Sequence, residues 1–467
     1  MNGKGAPSSV RDMRKEILLN AFTMNCAGHI NHGLWTHPRD QSHRYTKLNY
    51  WTELAATLER GLFDGVFLAD IVGVYDVYQQ SVDLTLRESI QLPVNDPLML
   101  ISAMAAVTKG LGFGVTVNVN AEAPAIFARR ISTLDHLTEG RIGWNIVTGY
   151  LDSAARAMGE SALGEHDQRY DRADEFLDLL YRLWEGSWDD DAVLRDRRAR
   201  VYADPTRVRK IRHEGQYYRM EAYHLSEPSR QRTPVLYQAG ASGRGQKFAA
   251  RHAECVFISP PDTGVARTAA RAIRKGAVEA GRRAEDVRIF AGLTVVVDRT
   301  EKAAREKFED YARYASPEAG LAHFSAGTGI DFSQYEPDEP ITYGTGNFVQ
   351  TSVDLARARG WTKRSILAGM ALGGRYPLVV GNPYQVADAL EAWIAEGEVD
   401  GFNLARTVAP ESYKDFIDLV IPVLQERGRY KTAYAAGSLR NRLFGTGDRL
   451  PDRHPGGAFQ ARAVAAE

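Results

Sequence analysis

The sequence predicts an α/β fold, a (β/α)8 TIM barrel with insertions. Three observations predict it. Eight short apolar stretches recur along the 467 residues, and each is followed by a segment with helical spacing. Strands separated by helices must pair in parallel. Eight such units suit a closed barrel, whereas a doubly wound open sheet normally uses fewer strands.

The elements follow in order. Ile17–Phe22 (ILLNAF) reads as the first strand, and Leu48–Arg60 as a helix stopped by Gly61. Asp64–Ala69 is the second strand, and Pro97–Thr108 a helix capped by Asn95 or Asp96. Leu111–Val119 is a strand, Ala123–Leu137 a helix and Arg141–Val147 a strand. Asp171–Glu185 is a helix with acidic residues in its first turn, as the macrodipole favours. From Gly186 to Thr233 the rhythm breaks into a charged insertion, with a short hairpin expected near Glu214–Arg219. Alternation returns with strand Pro234–Gln238, helix Gly243–His252, strand Glu254–Ile258, helix Val265–Ala280, strand Val287–Val297 and helix Glu301–Tyr314. A second irregular insertion covers about Ser316–Pro377. Helix Pro383–Glu396, strand Gly401–Ala405 and helix Tyr413–Arg427 complete the barrel. One barrel domain is thus expected over 1–445, with a C-terminal arm over 446–467.

Composition narrows the function. Hydrophobic residues at 44% and charged residues at 25% are the balance of a soluble globular protein with a large core. Lys plus Arg is 58 against 59 Asp plus Glu, a formal charge of −1, which argues against nucleic acid or an anionic membrane as the main partner. The most apolar stretch, Pro97–Val107, stops at Thr108 and Lys109, short of the ~18 residues a span needs. Met1–Glu16 has no apolar core of a signal peptide. Cys26 and Cys255, the two cysteines, form no CxxC pair, so a cytoplasmic location is expected.

In a barrel the chemistry sits at the C-terminal ends of the strands. The first strand leads into Asn25-Cys26-Ala27-Gly28-His29, then His32, Trp35 and His37. No metal is expected there: the ligands crowd one loop, and no HExxH occurs. The second strand ends at Asp70, a candidate base, orienting group or cap, followed by Tyr75 and Tyr78. The fourth ends in Asn145, Thr148, Gly149 and Tyr150, whose polar groups suit a polar heterocycle. The fifth runs into Ala239-Gly240-Ala241-Ser242 and a helix, small residues and free N–H groups that suit a single phosphate. Tyr170 could supply a phenol to the same phosphate. This stretch is neither a P-loop nor GxGxxG nor a nucleophile elbow.

Together these segments resemble the flavin-dependent monooxygenases of the bacterial-luciferase-like superfamily. The carrying motifs are Asn25–Trp35 (NCAGHINHGLW), Phe67–Tyr78 (FLADIVGVYDVY), Ile131–Thr148, His166–Glu175 (HDQRYDRADE), Leu183–Val193, Pro234–Gly245 (PVLYQAGASGRG) and Gly401–Leu404. The resemblance is to the branch of nitrilotriacetate and dibenzothiophene-sulfone monooxygenases, and within it to long-chain alkane and dimethylsulfide monooxygenases. It implies a barrel that binds reduced FMN (FMNH2), with O2 as co-substrate. A separate NAD(P)H-dependent flavin reductase would supply the FMNH2, and the chain would be a homodimer or a dimer of dimers. One oxygen atom would enter a small apolar substrate (alkane, organosulfur compound, aromatic or haloaromatic) through a flavin C4a-hydroperoxide. Carried over by motif, Asp70, Gly149, Tyr150, Tyr170, Ala239, Gly240, Ala241 and Ser242 would contact FMN, and Cys26, His29, Tyr75, Gln91 and His323 would line the substrate side. The alkane enzyme has His after a Thr-Ser pair at the fourth strand, where this chain has Thr148-Gly149-Tyr150, so an alkane is the less favoured substrate.

Beside the resemblance, physical chemistry asks for a dry site. The insertions, with Trp188, Tyr217, Tyr218 and Phe324, are expected to form a lid. An imidazole could hand a proton to the departing oxygen, which selects His29 and His323 as the catalytic candidates, with Cys26 and Tyr75 next. Trp35 and Tyr78 are further substrate-side candidates. The alternatives are a Cys26/His29 hydrolase, which has no oxyanion loop in the sequence, and a flavin-binding protein without catalysis.

Overall fold

The computed structural model describes residues 15–239, 243–341, 362–370, 372–374 and 376–460. Its strands, in chain order, are β1 (Leu18–Met24), β2 (Gly65–Ala69), β3 (Gly112–Asn118), β4 (Ile142–Val147), β5 (Val193–Asp196), β6 (Val201–Ala203), β7 (Ile211–Glu214), β8 (Arg219–Ala222), β9 (Val235–Gln238), β10 (Cys255–Ile258), β11 (Arg288–Val297), β12 (Leu378–Gly381) and β13 (Gly401–Ala405). β1, β2, β3, β4, β9, β10, β11 and β13 pair in parallel in that order, and β13 returns to β1, closing an eight-stranded barrel. These are the eight strands the sequence predicts.

Alternation along each strand sends one set of side chains into the barrel and the other toward the helices. Phe22, Phe67, Tyr237, Phe257 and Phe290 fill the interior, with the Phe22 and Phe67 rings 5.6 Å apart. Leu19, Val66, Phe113, Trp144, Leu236 and Phe402 face the helical layer.

Three acids pin the strand register at the N-terminal end of the barrel. Each precedes a strand and accepts the N–H of a residue on the neighbouring strand. Asp64 takes Leu19 N at 2.8 Å, Glu254 takes Leu236 N at 3.0 Å, and Asp400 takes Ile289 N at 2.8 Å. The backbone N–H of each acid donates to the carbonyl of that same residue. Every one carries a cation: Lys431 on Asp64, Arg440 on Glu254, Arg274 on Asp400. A one-residue slip would break both bonds and unpair a buried charge, so these acids reinforce what the hydrophobic pattern already specifies.

Several expectations need correction. The first insertion holds two hairpins, β5–β6 and β7–β8, the second with Glu214 opposite Arg219 as expected. Glu175 accepts Tyr217 N, Tyr218 N and His213 Nε2, and Tyr218 packs 5.7 Å from Phe176. Trp188 donates to His224 O. This insertion therefore lies against the outer helix His166–Tyr181 and does not lid the mouth. That helix starts five residues earlier than predicted and continues as a wider turn through Arg182–Gly186. The second insertion is not irregular throughout. Ser316 caps a helix, Pro317–Thr328, that closes at Gly329 in the left-handed conformation. Another helix, Lys363–Gly369, follows, and then β12, which the sequence reading missed. Within 446–460 the C-terminal segment is docked: His454 is buried and bonds His252 O, and Arg453 grips Asp286.

Candidate active site

The C-terminal strand ends gather the predicted residues. Beyond β1 the chain turns into a loop fixed from β13: buried Arg406 donates to Cys26 O and Ala27 O, and its own carbonyl accepts Asn31 Nδ2 at 2.8 Å. Cys26 is buried and its Sγ donates to Gly28 O at 3.1 Å. Burial pushes its thiol up to about 12 against the opposing pull of Arg406. It is a protonated donor, a poor fit to the hydrolase alternative, which needs a thiolate. His29 is buried edge-on to Phe22 at 4.7 Å. Burial, Arg406 and His32 hold it well below the ordinary histidine range, so it is neutral. Its Nδ1 has no hydrogen-bond partner among the described residues. A neutral imidazole still exchanges hydrogen bonds at an oxygen atom, donating from one ring nitrogen and accepting at the other.

Tyr75 is the hub of the residues expected on the substrate side. Its hydroxyl donates to Gln91 Oε1 at 2.6 Å and meets the Tyr150 hydroxyl at 3.1 Å. Its ring stacks on His323 at 4.8 Å and 22°. His323 Nδ1 lies 3.0 Å from Nε2 of His32. Tyr75, Gln91, Tyr150, His323 and His32 thus form one connected cluster. His32 was not among the predicted site residues; its side chain announces nothing in the sequence beyond being one more histidine on the loop. Tyr150, assigned to the cofactor by motif, has its hydroxyl in this cluster. Tyr78 donates to Glu318 at 3.1 Å, and Trp35 to Glu88 O at 2.9 Å, so both heads are committed to protein partners. His37 meets Asp310 at 3.0 Å through its Nε2 and does not belong to the cluster.

The residues expected to contact the cofactor lie at the ends of β2, β4 and β9 and on the helix His166–Tyr181. Asp70 ends β2 half-buried; burial and the charge of Asp96 push its carboxyl up to about 7. Asn145 points into the barrel, where its Nδ2 donates to Thr116 Oγ1 at 2.9 Å. Its Oδ1, though buried, has no partner among the described residues. Thr148 is buried, and Gly149 takes φ +80, a left-handed conformation that favours glycine; a Cβ there would lie 2.9 Å from Asn118 Nδ2, so the Asn118 amide would have to shift. Ala239 is exposed; Gly240, Ala241 and Ser242 lie outside the described residues. Beyond them the helix Gly243–His252 begins, and a Cβ on Gly243 would meet nothing within 4 Å. Arg244 sits 5.7 Å over the Tyr170 ring and is held by Asp171 and Asp174. A helix N-terminus, a phenol and a guanidinium suit a phosphate, and an unmatched buried amide oxygen suits a ring N–H. These residues fit a flavin mononucleotide. Among the described residues no group of acids, histidines and cysteines could hold a metal.

The luciferase-like monooxygenase family model matches residues 30–401. The chain belongs to the luciferase-like monooxygenases. It is 48% identical over 460 residues to dimethyl-sulfide monooxygenase of Hyphomicrobium sulfonivorans, covering 97% of this chain and 96% of that protein. It is 50% identical over 444 residues to long-chain alkane monooxygenase of Geobacillus thermodenitrificans, covering 95% and 97%. The crystal structure of a long-chain alkane monooxygenase superposes with a TM-score of 0.91 at 49% identity, over 96% of this chain and 100% of the other. A riboflavin lyase structure with modified FMN and riboflavin gives 0.91 at 39% identity, over 96% and 100%. As a luciferase-like monooxygenase the chain is flavin-dependent. No helix among the described residues is long and apolar enough to cross a membrane.

Proposed function

We propose that this luciferase-like monooxygenase takes FMNH2 from a separate NAD(P)H-dependent flavin reductase and places one atom of O2 on a small, electron-rich apolar compound, a dialkyl sulfide or an aromatic ring, working as a homodimer. Bound FMNH2 would supply the two electrons and the reaction with O2. The chain's own residues do the rest. Arg244, Tyr170 and the N-terminus of Gly243–His252 would hold the phosphate, and Asn145 and Asp70 the polar edge of the ring. Neutral His29, with His323 and the Tyr75 hydroxyl, would offer hydrogen bonds to oxygen at the reacting face. The packed helix Pro317–Thr328, with Phe324 against Phe332 at 5.5 Å, would exclude water.

The observation that carries the substrate class is the Tyr75–Tyr150 hydroxyl contact beside Gln91. It groups hydrogen-bonded polar heads on the side where substrate is expected, which suits a compact substrate with a polarisable atom better than a long alkyl chain. A relative acts on dimethyl sulfide, which supports the sulfide reading. The test supplies photoreduced FMN and O2 with dialkyl sulfides, substituted aromatics and n-alkanes in parallel. Oxygenation confined to alkanes would refute the substrate class. Stoichiometric NADH oxidation by the purified chain alone would refute the separate reductase.

A further inference from the structure

We infer that His252 is a positioning residue for the cofactor phosphate: it orients the Asp174 carboxylate, and Asp174 in turn holds the Arg244 guanidinium beside Tyr170. The use made of Arg244 rests on the flavin reading above; the orientation of Asp174 rests on its hydrogen bonds.

One carboxylate ties together the two ends of a short helix. Arg244 lies at the start of Gly243–His252, and His252 closes it about two turns later. Both side chains reach the same residue of the neighbouring helix, His166–Tyr181. Asp174 Oδ1 lies 2.7 Å from His252 Nε2, and Asp174 Oδ2 accepts Arg244 Nη2 at 2.5 Å. Arg251 stands farther off, 3.6 Å from Oδ1. With its two oxygens committed to different partners, the carboxylate cannot turn without losing one of them. Asp171 accepts Arg244 Nε and Nη2 at 3.3 and 2.8 Å, so both acids grip one edge of the guanidinium. Among the described residues Nη1 keeps its N–H groups uncommitted, with the guanidinium 5.7 Å over the Tyr170 ring.

His252 is itself held at both ring nitrogens. It is fully buried, its ring stacks on Tyr181 at 5.8 Å and 28°, and its Nδ1 is 3.0 Å from the Tyr181 hydroxyl. Its carbonyl accepts His454 Nε2 from the C-terminal segment at 2.9 Å. Burial alone would raise Asp174, but the bonds from His252 and Arg244 hold its carboxyl below the usual range, so it is ionised. An ionised carboxylate only accepts, so His252 Nε2 carries the proton that faces it. Burial holds His252 below the ordinary histidine range, although Asp174 draws it up, so the ring is neutral and Nδ1 accepts the Tyr181 hydroxyl. The donors therefore run one way, from Tyr181 through His252 to Asp174. A neutral donor orients Asp174 without cancelling its charge, which stays available to Arg244. Released from His252, Asp174 would hold Arg244 less firmly, and an arginine that must be ordered on binding takes a phosphate less tightly.

The test compares FMN with riboflavin, which has the same ring system and no phosphate, by equilibrium dialysis against the full chain. His252→Leu is expected to lower FMN affinity about fivefold, the scale on which members of one hydrogen-bonded network couple, and to leave riboflavin affinity unchanged. His252→Gln offers an amide N–H in place of Nε2–H and should restore FMN binding. Arg244→Met should also weaken FMN alone. Adding His252→Leu to it should cost nothing more, because His252 acts through Arg244. If His252→Leu does not fold, the same comparison is read from Tyr181→Phe, which removes only a hydroxyl and should lower FMN affinity about threefold. Equal losses for FMN and riboflavin, or the full loss repeated on top of Arg244→Met, would mark a purely structural histidine and overturn the proposal. Wild-type FMN affinity in the folded variant, beside a loss in Arg244→Met, would overturn it as well and leave the phosphate reading standing. Wild-type FMN affinity in Arg244→Met would overturn the phosphate reading and the proposal together.

Discussion

Asp70→Asn should stabilise the flavin-free protein, and more so as the pH rises. Asp70 closes β2 half-buried with the charge of Asp96 nearby, and its carboxyl is raised from 3.8 to about 7. The sign is the reverse of the usual carboxylate. The folded state binds the Asp70 proton more tightly than the unfolded chain, so its stabilising effect is complete below the unfolded value and fades as pH rises through about 7. At ~1.36 kcal/mol per pKa unit, ionised Asp70 costs the fold about 4 kcal/mol at pH 8, a ceiling because water reaches part of the group. Asn has the shape of the protonated acid and carries no such cost. The advantage of Asp70→Asn over wild type should therefore grow by up to about 3 kcal/mol between pH 5 and 8 and then level off. Urea unfolding of both proteins at matched pH values, without flavin, reads the difference directly. Parallel stability profiles across that range would show that Asp70 titrates as an ordinary exposed carboxylate and would refute the reasoning. If the acid persists despite this cost, its role lies in binding, and Asp70→Asn should weaken FMNH2 while it strengthens the fold.

Three further outcomes are expected. His29→Phe keeps the ring beside Phe22 but removes the hydrogen-bonding nitrogens; FMNH2 should bind nearly normally, while product per flavin falls by ~10²-fold and H2O2 takes its place in single-turnover assays. Arg244→Met removes the guanidinium from the face of Tyr170, and equilibrium dialysis should show FMN affinity reduced about tenfold, or about 1.4 kcal/mol; unchanged binding would remove Arg244 and Tyr170 from the phosphate site. Arg440 donates to both oxygens of buried Glu254 and to the carbonyls of Thr233, Pro234 and Asp448, so Arg440→Met should cost ~3–5 kcal/mol in urea unfolding by stranding a buried charge. Adding Glu254→Gln should recover part of that loss.

The barrel was legible because its signals are local. Apolar runs such as Asp64–Ala69, and helix stops such as Gly61, need no distant partner to be read. Asp70 and the glycine-flanked end of the fourth strand were legible for the same reason, since their positions follow from where a strand stops. β12 was not, because Leu378–Gly381 is four residues long and half-buried, and it becomes a strand only by pairing with the end of β11. The helix Pro317–Thr328 is small-residue-rich and buried on all sides from Ala319 onward, so it lacks the amphipathic stripe that marks a surface helix. The lid expected from Tyr217 and Tyr218 failed because the partner that captures them, Glu175, is 42 residues away from the first of them. The link between His32 and His323 spans 291 residues and could be seen only in space.

The acids beneath the barrel divide the labour of the molecule between its two ends. Asp64, Glu254 and Asp400 fasten neighbouring strands at the N-terminal end of the barrel, opposite the expected site. The opposite end is then released from any duty to keep the strands aligned. Loops there can lengthen, acquire a helix or exchange a histidine for a tyrosine without the barrel losing its place. Segments of the mouth should be transplantable between relatives that act on a sulfide or an alkane, provided the residues before the strands travel with their own barrel. Laboratory selection for a new substrate could concentrate on the stretch around Tyr150 and the helix that bears His323, leaving the three fasteners untouched.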